Sequence, residues 1–143
     1  MFSKEESKKL RQDFWIAFGK SYPRKWILYN TNVKGLALKF HFDVKKARVS
    51  LDIETDNLER RIALWEKLQA LKSILQSEDY LPETIFEDSF MLQNGKEISK
   101  VYVEKSHVSI HNKTTWQETM IFLNVHMAKL EGFFEDYREI IRP

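Results

Sequence analysis

Between Trp116 and Ile141 an apolar side chain recurs at every third or fourth position: Trp116, Met120, Leu123, Met127, Leu130, Phe134, Tyr137 and Ile141. Such spacing returns a residue to one helical face about every 3.5 residues. Thr115-x-x-Glu118 at its start reads as a capping box. At roughly 1.5 Å per residue a helix over this segment is about 39 Å long. A compact chain of this size has a radius of gyration of about 14–15 Å. The helix must therefore span the globule, and the rest of the chain must pack around it. A second apolar set (Ile121, Phe122, Val125, Phe133, Ile140) widens the stripe beyond a two-helix seam. So broad a face suits packing on a sheet, with Phe133, Tyr137, Ile140 and Ile141 expected to leave a homodimer face at one end.

Composition narrows what the remainder can be. A chain of 143 residues, 43% hydrophobic and 13% aromatic, suffices for one domain with a substantial core. Only 4 Gly and 3 Pro favour long elements joined by short connections. The lack of cysteine excludes disulfides, thiolate zinc sites and cysteine nucleophiles, and fits a reducing compartment. The start, MFSKEESKK, has no apolar core of a secretory signal, and no apolar run approaches membrane-spanning length. The expectation is a cytoplasmic, single-domain protein over 1–143 with no membrane association.

Ser3-x-x-Glu6 is a capping box opening a helix to about Gly19, with Leu10, Phe14, Ala17 and Phe18 on one face. Lys25–Asn30 (KWILYN) has the composition of a strand. Leu36, Leu38, Phe40 and Phe42 then alternate with Ala37, Lys39, His41 and Asp43, and Val49, Leu51 and Ile53 alternate with Arg48, Ser50, Asp52 and Glu54. A hairpin with Asp43 opposite Arg48 sets Phe42 on Val49, Phe40 on Leu51, and Leu38 on Ile53. Its other face pairs His41 with Ser50 and Lys39 with Asp52.

Asp56-x-x-Glu59 is expected to cap a further helix to about Ser77, burying Leu58, Ile62, Trp65, Leu68, Leu71 or Lys72, and Leu75. Thr84–Leu92 and Glu97–Glu104 flank Asn94-Gly95, the strongest two-residue hairpin signal. Val108–His111 can add a short strand before the final helix. The order α-β-β-β-α-β-β-(β)-α implies a two-layer α+β domain, a mainly antiparallel sheet with helices on one face.

Catalytic patterns are sparse. Asp43, Asp52 and Glu54 invite comparison with metal-dependent nucleases, which hold Mg²⁺ with Asp and Asp/Glu-x-Lys on adjacent strands. Here Glu54 stands where the lysine belongs. On a strand, His107 and His111 would lie about 13 Å apart at roughly 3.3 Å per residue, too far to share a metal. His41 and His126 occupy a polar hairpin face and a helix flank. There is no G-x-S-x-G, P-loop or G-x-G-x-x-G. The reading is a non-catalytic protein with no cofactor and no metal site.

Charge offers a binding candidate. The net charge is +2, but residues 20–48 carry eight cations against one anion, and residues 78–104 carry seven anions against two cations. Arg24, Lys25, Lys45, Lys46 and Arg48, interleaved with Tyr22 and Trp26, are the candidate nucleic-acid contacts.

Gly35–Phe42, Ala47–Glu54, the Asn57–Ser73 helix, Trp116–Met120 and Lys129–Glu131 together resemble the bacterial domain of unknown function 4268 family. The resemblance covers nearly the whole chain and rests on core patterns, so it implies the fold and carries over no catalytic residue. That family occurs as short stand-alone proteins and as a C-terminal module behind nuclease-like domains. The resemblance thus implies an accessory role near nucleic acid or a nuclease-type partner. Two expectations follow: a self-associating interaction module, a homodimer with itself as partner; or, alternatively, a nucleic-acid-binding or degenerate nuclease-related domain.

Overall fold

The structure is a computed structural model that describes residues 2–143. Its order is α1 (Lys4–Ser21), β1 (Leu36–Phe42), β2 (Lys46–Ile53), α2 (Leu58–Ala70), α3 (Lys72–Leu75), β3 (Ile85–Met91), β4 (Glu97–Ser106) and α4 (Trp116–Ile141). The strands form one antiparallel sheet in the order β1-β2-β4-β3. This is the expected two-layer α+β architecture.

α1 opens as its residues dictate. The Ser3 hydroxyl accepts from the Glu6 amide and the Glu6 carboxylate accepts from the Ser3 amide, both at 3.1 Å. Phe14 and Phe18 then enter the core, Phe14 edge-on to Phe42 of β1 and Trp116 of α4.

Lys25–Asn30 is not a strand. It is an irregular strap across the edge of β1, with Trp26, Ile27 and Leu28 half-buried. Leu28 and Asn32 have φ of 46° and 60°, outside the extended region a strand requires. One bond, Leu38 N–H to Leu28 C=O at 3.0 Å, ties the strap to the sheet.

The β1–β2 hairpin is offset by two residues from the expected register. Phe40 faces Val49, Leu38 faces Leu51, Leu36 faces Ile53, His41 faces Arg48, and Lys39 faces Ser50. Turn chemistry decides this. The Asp43 carboxylate accepts from the amides of Lys45 (2.7 Å) and Lys46 (2.9 Å), and the Asp43 amide donates to Lys46 C=O at 2.9 Å. That closes a two-residue loop at Val44-Lys45. A shift of two leaves every side chain on its face, so hydrophobic pattern alone cannot detect it.

The caps differ in detail. Asn57, not Asp56, caps α2 by accepting from the Arg60 amide at 3.1 Å, and Asp56 instead meets Lys96 at 3.1 Å. Leu64, Trp65, Leu68, Leu71 and Leu75 are buried, but Leu58 and Ile62 remain exposed. Helix geometry breaks at Leu71.

Asn94-Gly95 turns the chain within a three-residue loop, Gln93 to Gly95. Leu92 N–H bonds Lys96 C=O at 2.9 Å, and Gly95 alone takes positive φ, at 86°. Val108–His111 is a turn with buried Val108 and Ile110 rather than a strand. The Thr115 hydroxyl bonds back to Ser109 and Asn112, so the expected capping box on α4 does not form. A 3-10 turn over Lys113–Thr115, capped by Asn112, leads into the helix instead.

α4 runs over the predicted 26 residues and lies across β2, with Leu123, Met127, Leu130, Phe134 and Ile141 buried. Val49, Leu51, Ile53, Val101 and Val103 meet the helical layer. The opposite sheet face carries Lys39, Arg48, Ser50, Asp52, Lys100, Tyr102 and Glu104.

Candidate functional site

The helix-free sheet face is charged yet largely closed to water. Asp52 is fully buried and accepts from the Lys100 ammonium at 3.0 Å, with the Lys39 ammonium 3.6 Å away. Lys39 also bonds Glu54. Beside them the Glu104 carboxylate accepts from Arg48 at 2.7 and 3.1 Å and lies 3.6 Å from Lys46. A bulge between Glu87 and Phe90 turns the Phe90 ring over Lys100 (4.7 Å) and Arg48 (5.2 Å).

These environments move the titrations. Burial pulls Lys100 below the usual lysine range, against the opposing charge and hydrogen bond of Asp52. Lys39 is opposed by burial, but its bond to Glu54 and the charges of Asp52 and Glu54 raise it. Burial and the hydrogen bond to Glu87 push the Tyr102 hydroxyl up to about 12. The carboxylates considered for a divalent cation are thus held by lysines, and Asp43 is committed to its turn and to His41 at 2.8 Å. Among the described residues no three metal-ligating side chains stand together. These ion pairs tie β1, β2 and β4 together across the sheet.

The five basic candidates do not converge. Arg24 bonds Glu131 of α4 at 2.6 Å and lies 4.3 Å above the Trp26 ring, on the helical side. Arg48 is 7% exposed and paired with Glu104 on the opposite face. Lys25 is exposed on the strap. Lys45 and Lys46 line a depression of about 530 Å³ with Glu104, Ser106, His107, Ser109, Asn112 and Thr115.

The expected dimer face is mostly internal. Phe133 and Ile141 are fully buried, and Tyr137 is half-buried against Phe133 and Tyr80. Of the four, Ile140 alone is exposed. The reason is the chain after α3, which brings Tyr80 edge-on to Phe133 at 5.4 Å and covers that end. The other exposed apolar residues of α4 lie elsewhere: Ile121 is 48% and Val125 42% exposed. Ala128 and Gly132 follow on the same helical face, and nothing lies within 4 Å of a Cβ placed on Gly132. A second 4-3-4 spacing through 121, 125, 128 and 132 is the signal that locates this face.

Three of the four histidines, His41, His111 and His126, have hydrogen-bond partners among the described residues. His111 is hydrogen-bonded to Ser7 at 2.9 Å, and the His126 ring donates to Phe122 C=O at 2.9 Å. At the edge of β1, Trp15, Leu28, Tyr29, Leu38, Lys39 and Phe40 line a second concavity of about 340 Å³. No periodic signal marks it, because it forms only where the strap, α1 and β1 meet.

A protein-family model described as Domain of unknown function (DUF4268) matches residues 10–138. Neither the curated proteins nor the solved structures contain a match. No helix of the described residues is long and apolar enough to cross a membrane.

Proposed function

For this chain, which belongs to the DUF4268 family, we propose a non-catalytic interaction module of the bacterial cytoplasm that associates with a second copy of itself through the outward face of α4. The observation that carries this reading is the exposed Ile121–Val125 pair, continued by Ala128 and Gly132, on a helix whose other face is core. Small residues let two helix backbones approach closely, and the two branched residues supply apolar area. Light scattering across a concentration series tests it. The expected result is a dimer that Val125→Glu converts to a monomer with unchanged helicity. A wild type that stays monomeric at high concentration refutes it.

A second reading, contact with nucleic acid, is favoured by the Lys45–Lys46 depression. Two ammonium groups there share a rim with Ser106, Ser109 and Asn112, groups that can donate to phosphate oxygens. Arg48 drops out of this reading because it is buried, and Arg24 because it is bonded to Glu131 on the helical side; Lys46 lies 3.6 Å from Glu104 but stays half-exposed. Lys45→Ser with Lys46→Ser is expected to weaken binding of DNA or RNA uniformly and to lower the salt slope by up to about two units. An unchanged slope rejects the depression as the contact.

A further inference from the structure

We propose that the concavity at the edge of β1 holds an unpaired base of a single-stranded nucleic acid. The proposal rests on the nucleic-acid reading above and adds to it a site and a strand state.

The strap builds this site. Ile27 C=O accepts from the Asn30 amide at 2.8 Å, closing a tight turn with Leu28 and Tyr29 at its tip. Leu28 takes φ of 46° at a position where turns prefer glycine. Side chains adopt such backbone only when their surroundings hold them there, and such strain clusters at binding sites. Here the hold is explicit: Glu131 accepts from the Ile27 amide at 2.6 Å, and Leu28 C=O accepts from Leu38 N–H at 3.0 Å. The product of that cost is an aromatic ring in water. Tyr29 is 69% exposed.

The lining suits a planar π system. Trp15 and Phe40, both half-buried, supply further aromatic surface with ring centroids 6.0 Å apart. The Lys39 ammonium sits 5.8 Å from the Tyr29 ring. Stacking on aromatic faces tolerates any base, because each has a π face. In a duplex those faces are covered by neighbouring bases, so the site selects single strands.

Charge complementarity favours a polyanion over an apolar peptide. Lys8 and Arg11 precede Trp15 at seven- and four-residue spacing on one face of α1. Neither has a carboxylate within 4 Å among the described residues, whereas Lys9 is taken by Asp13. Glu5 and Asp13 are the acidic neighbours on the same surface, Asp13 lying 3.8 Å from Lys9. Lys25, exposed on the strap, also lacks a carboxylate partner among the described residues. Phosphates on either side of a base seated in the concavity therefore meet cations along α1 and the strap.

Fluorescence anisotropy with labelled oligothymidylate of about twelve nucleotides, and with a duplex of the same length, tests this at about 50 mM salt. The expected result is tighter binding of the single strand. Tyr29→Ala should weaken it about tenfold without changing the salt slope, since stacking is not a counterion effect. Arg11→Ser should lower the slope by about 0.7. Tyr29 lies outside the core, and an unchanged thermal melt confirms the fold of that variant. Equal affinity for single strand and duplex, or an unaffected Tyr29→Ala, overturns the proposal. If oligonucleotides bind and only the Lys45/Lys46 variant weakens them, the nucleic-acid reading survives and the concavity is excluded. If neither oligonucleotide binds, both fall; binding of an apolar peptide instead would assign the concavity to a protein partner.

Discussion

Glu131 of α4 accepts a hydrogen bond from Arg24 at 2.6 Å, 107 residues away in the chain. Its other oxygen accepts from the Ile27 amide at 2.6 Å, and the carboxylate is 2% exposed. One acidic side chain of the long helix therefore pins both ends of the Arg24–Ile27 segment and fixes how the strap crosses β1. Glu131→Ala should leave the half-buried Ile27 amide unpaired and cost about 1–3 kcal/mol. Urea unfolding measures it; a loss below about 0.5 kcal/mol would show that the strap is held by its apolar residues alone.

The buried Asp52–Lys100 pair makes a sharper prediction. Removing one partner of a buried pair commonly costs about 3–5 kcal/mol. Lys100→Met should cost less, about 2–3 kcal/mol, because Lys39 remains 3.6 Å from Asp52 to offset its charge. Asp52→Leu combined with Lys100→Met should recover most of the loss. A double variant as unstable as the sum of the singles would mean that this pair does not carry uncompensated charge.

Acid sensitivity should trace in part to the β1–β2 turn. Burial raises the Asp43 carboxyl, but the hydrogen bonds from His41, Lys45 and Lys46 outweigh it and hold the group below its ordinary 3.8. Because the folded state depresses this titration, its stabilising contribution is present above pH 3.8 and is lost as pH falls through the lower folded value. Asp43→Asn should therefore flatten the stability–pH curve below that point. Thermal melts across that range report the outcome.

Two glycines with the same φ of 86° should respond differently to alanine. A Cβ on Gly35 would meet the Thr55 Cβ at 2.8 Å, whereas one on Gly95 would meet nothing within 4 Å. Gly95→Ala should cost about 1–2 kcal/mol, the price of a left-handed backbone. Gly35→Ala must add the displacement of Thr55 and should be clearly worse. Equal losses would show that the strand end can shift without penalty.

Much of the fold was legible in the chain. The 4-3 stripe located α4 to the residue, and Ser3-x-x-Glu6 located the start of α1. The strict alternation in β1 and β2 identified their inner faces. These features repeat every two or 3.6 residues, so local pattern contains them. The pairing within that hairpin was not legible. Registers two residues apart expose the same faces, and the Asp43 carboxylate, by bonding two amides, decided between them. Composition likewise made Lys25–Asn30 resemble a strand, until Glu131, reached only after the chain had folded back on itself, held it as a strap. The surfaces followed the same division. Sequence could show that α4 was broadly apolar, but only the fold decided that Phe133 is covered by Tyr80 while Ile121 and Val125 stay outside. It could show cations and aromatics near one another, but Arg24 and Arg48 went to Glu131 and Glu104, while Trp15, Tyr29 and Phe40 met around one concavity. Periodicity determines which face a side chain is on; long-range contacts determine what that face meets, because their partners are far apart in the chain.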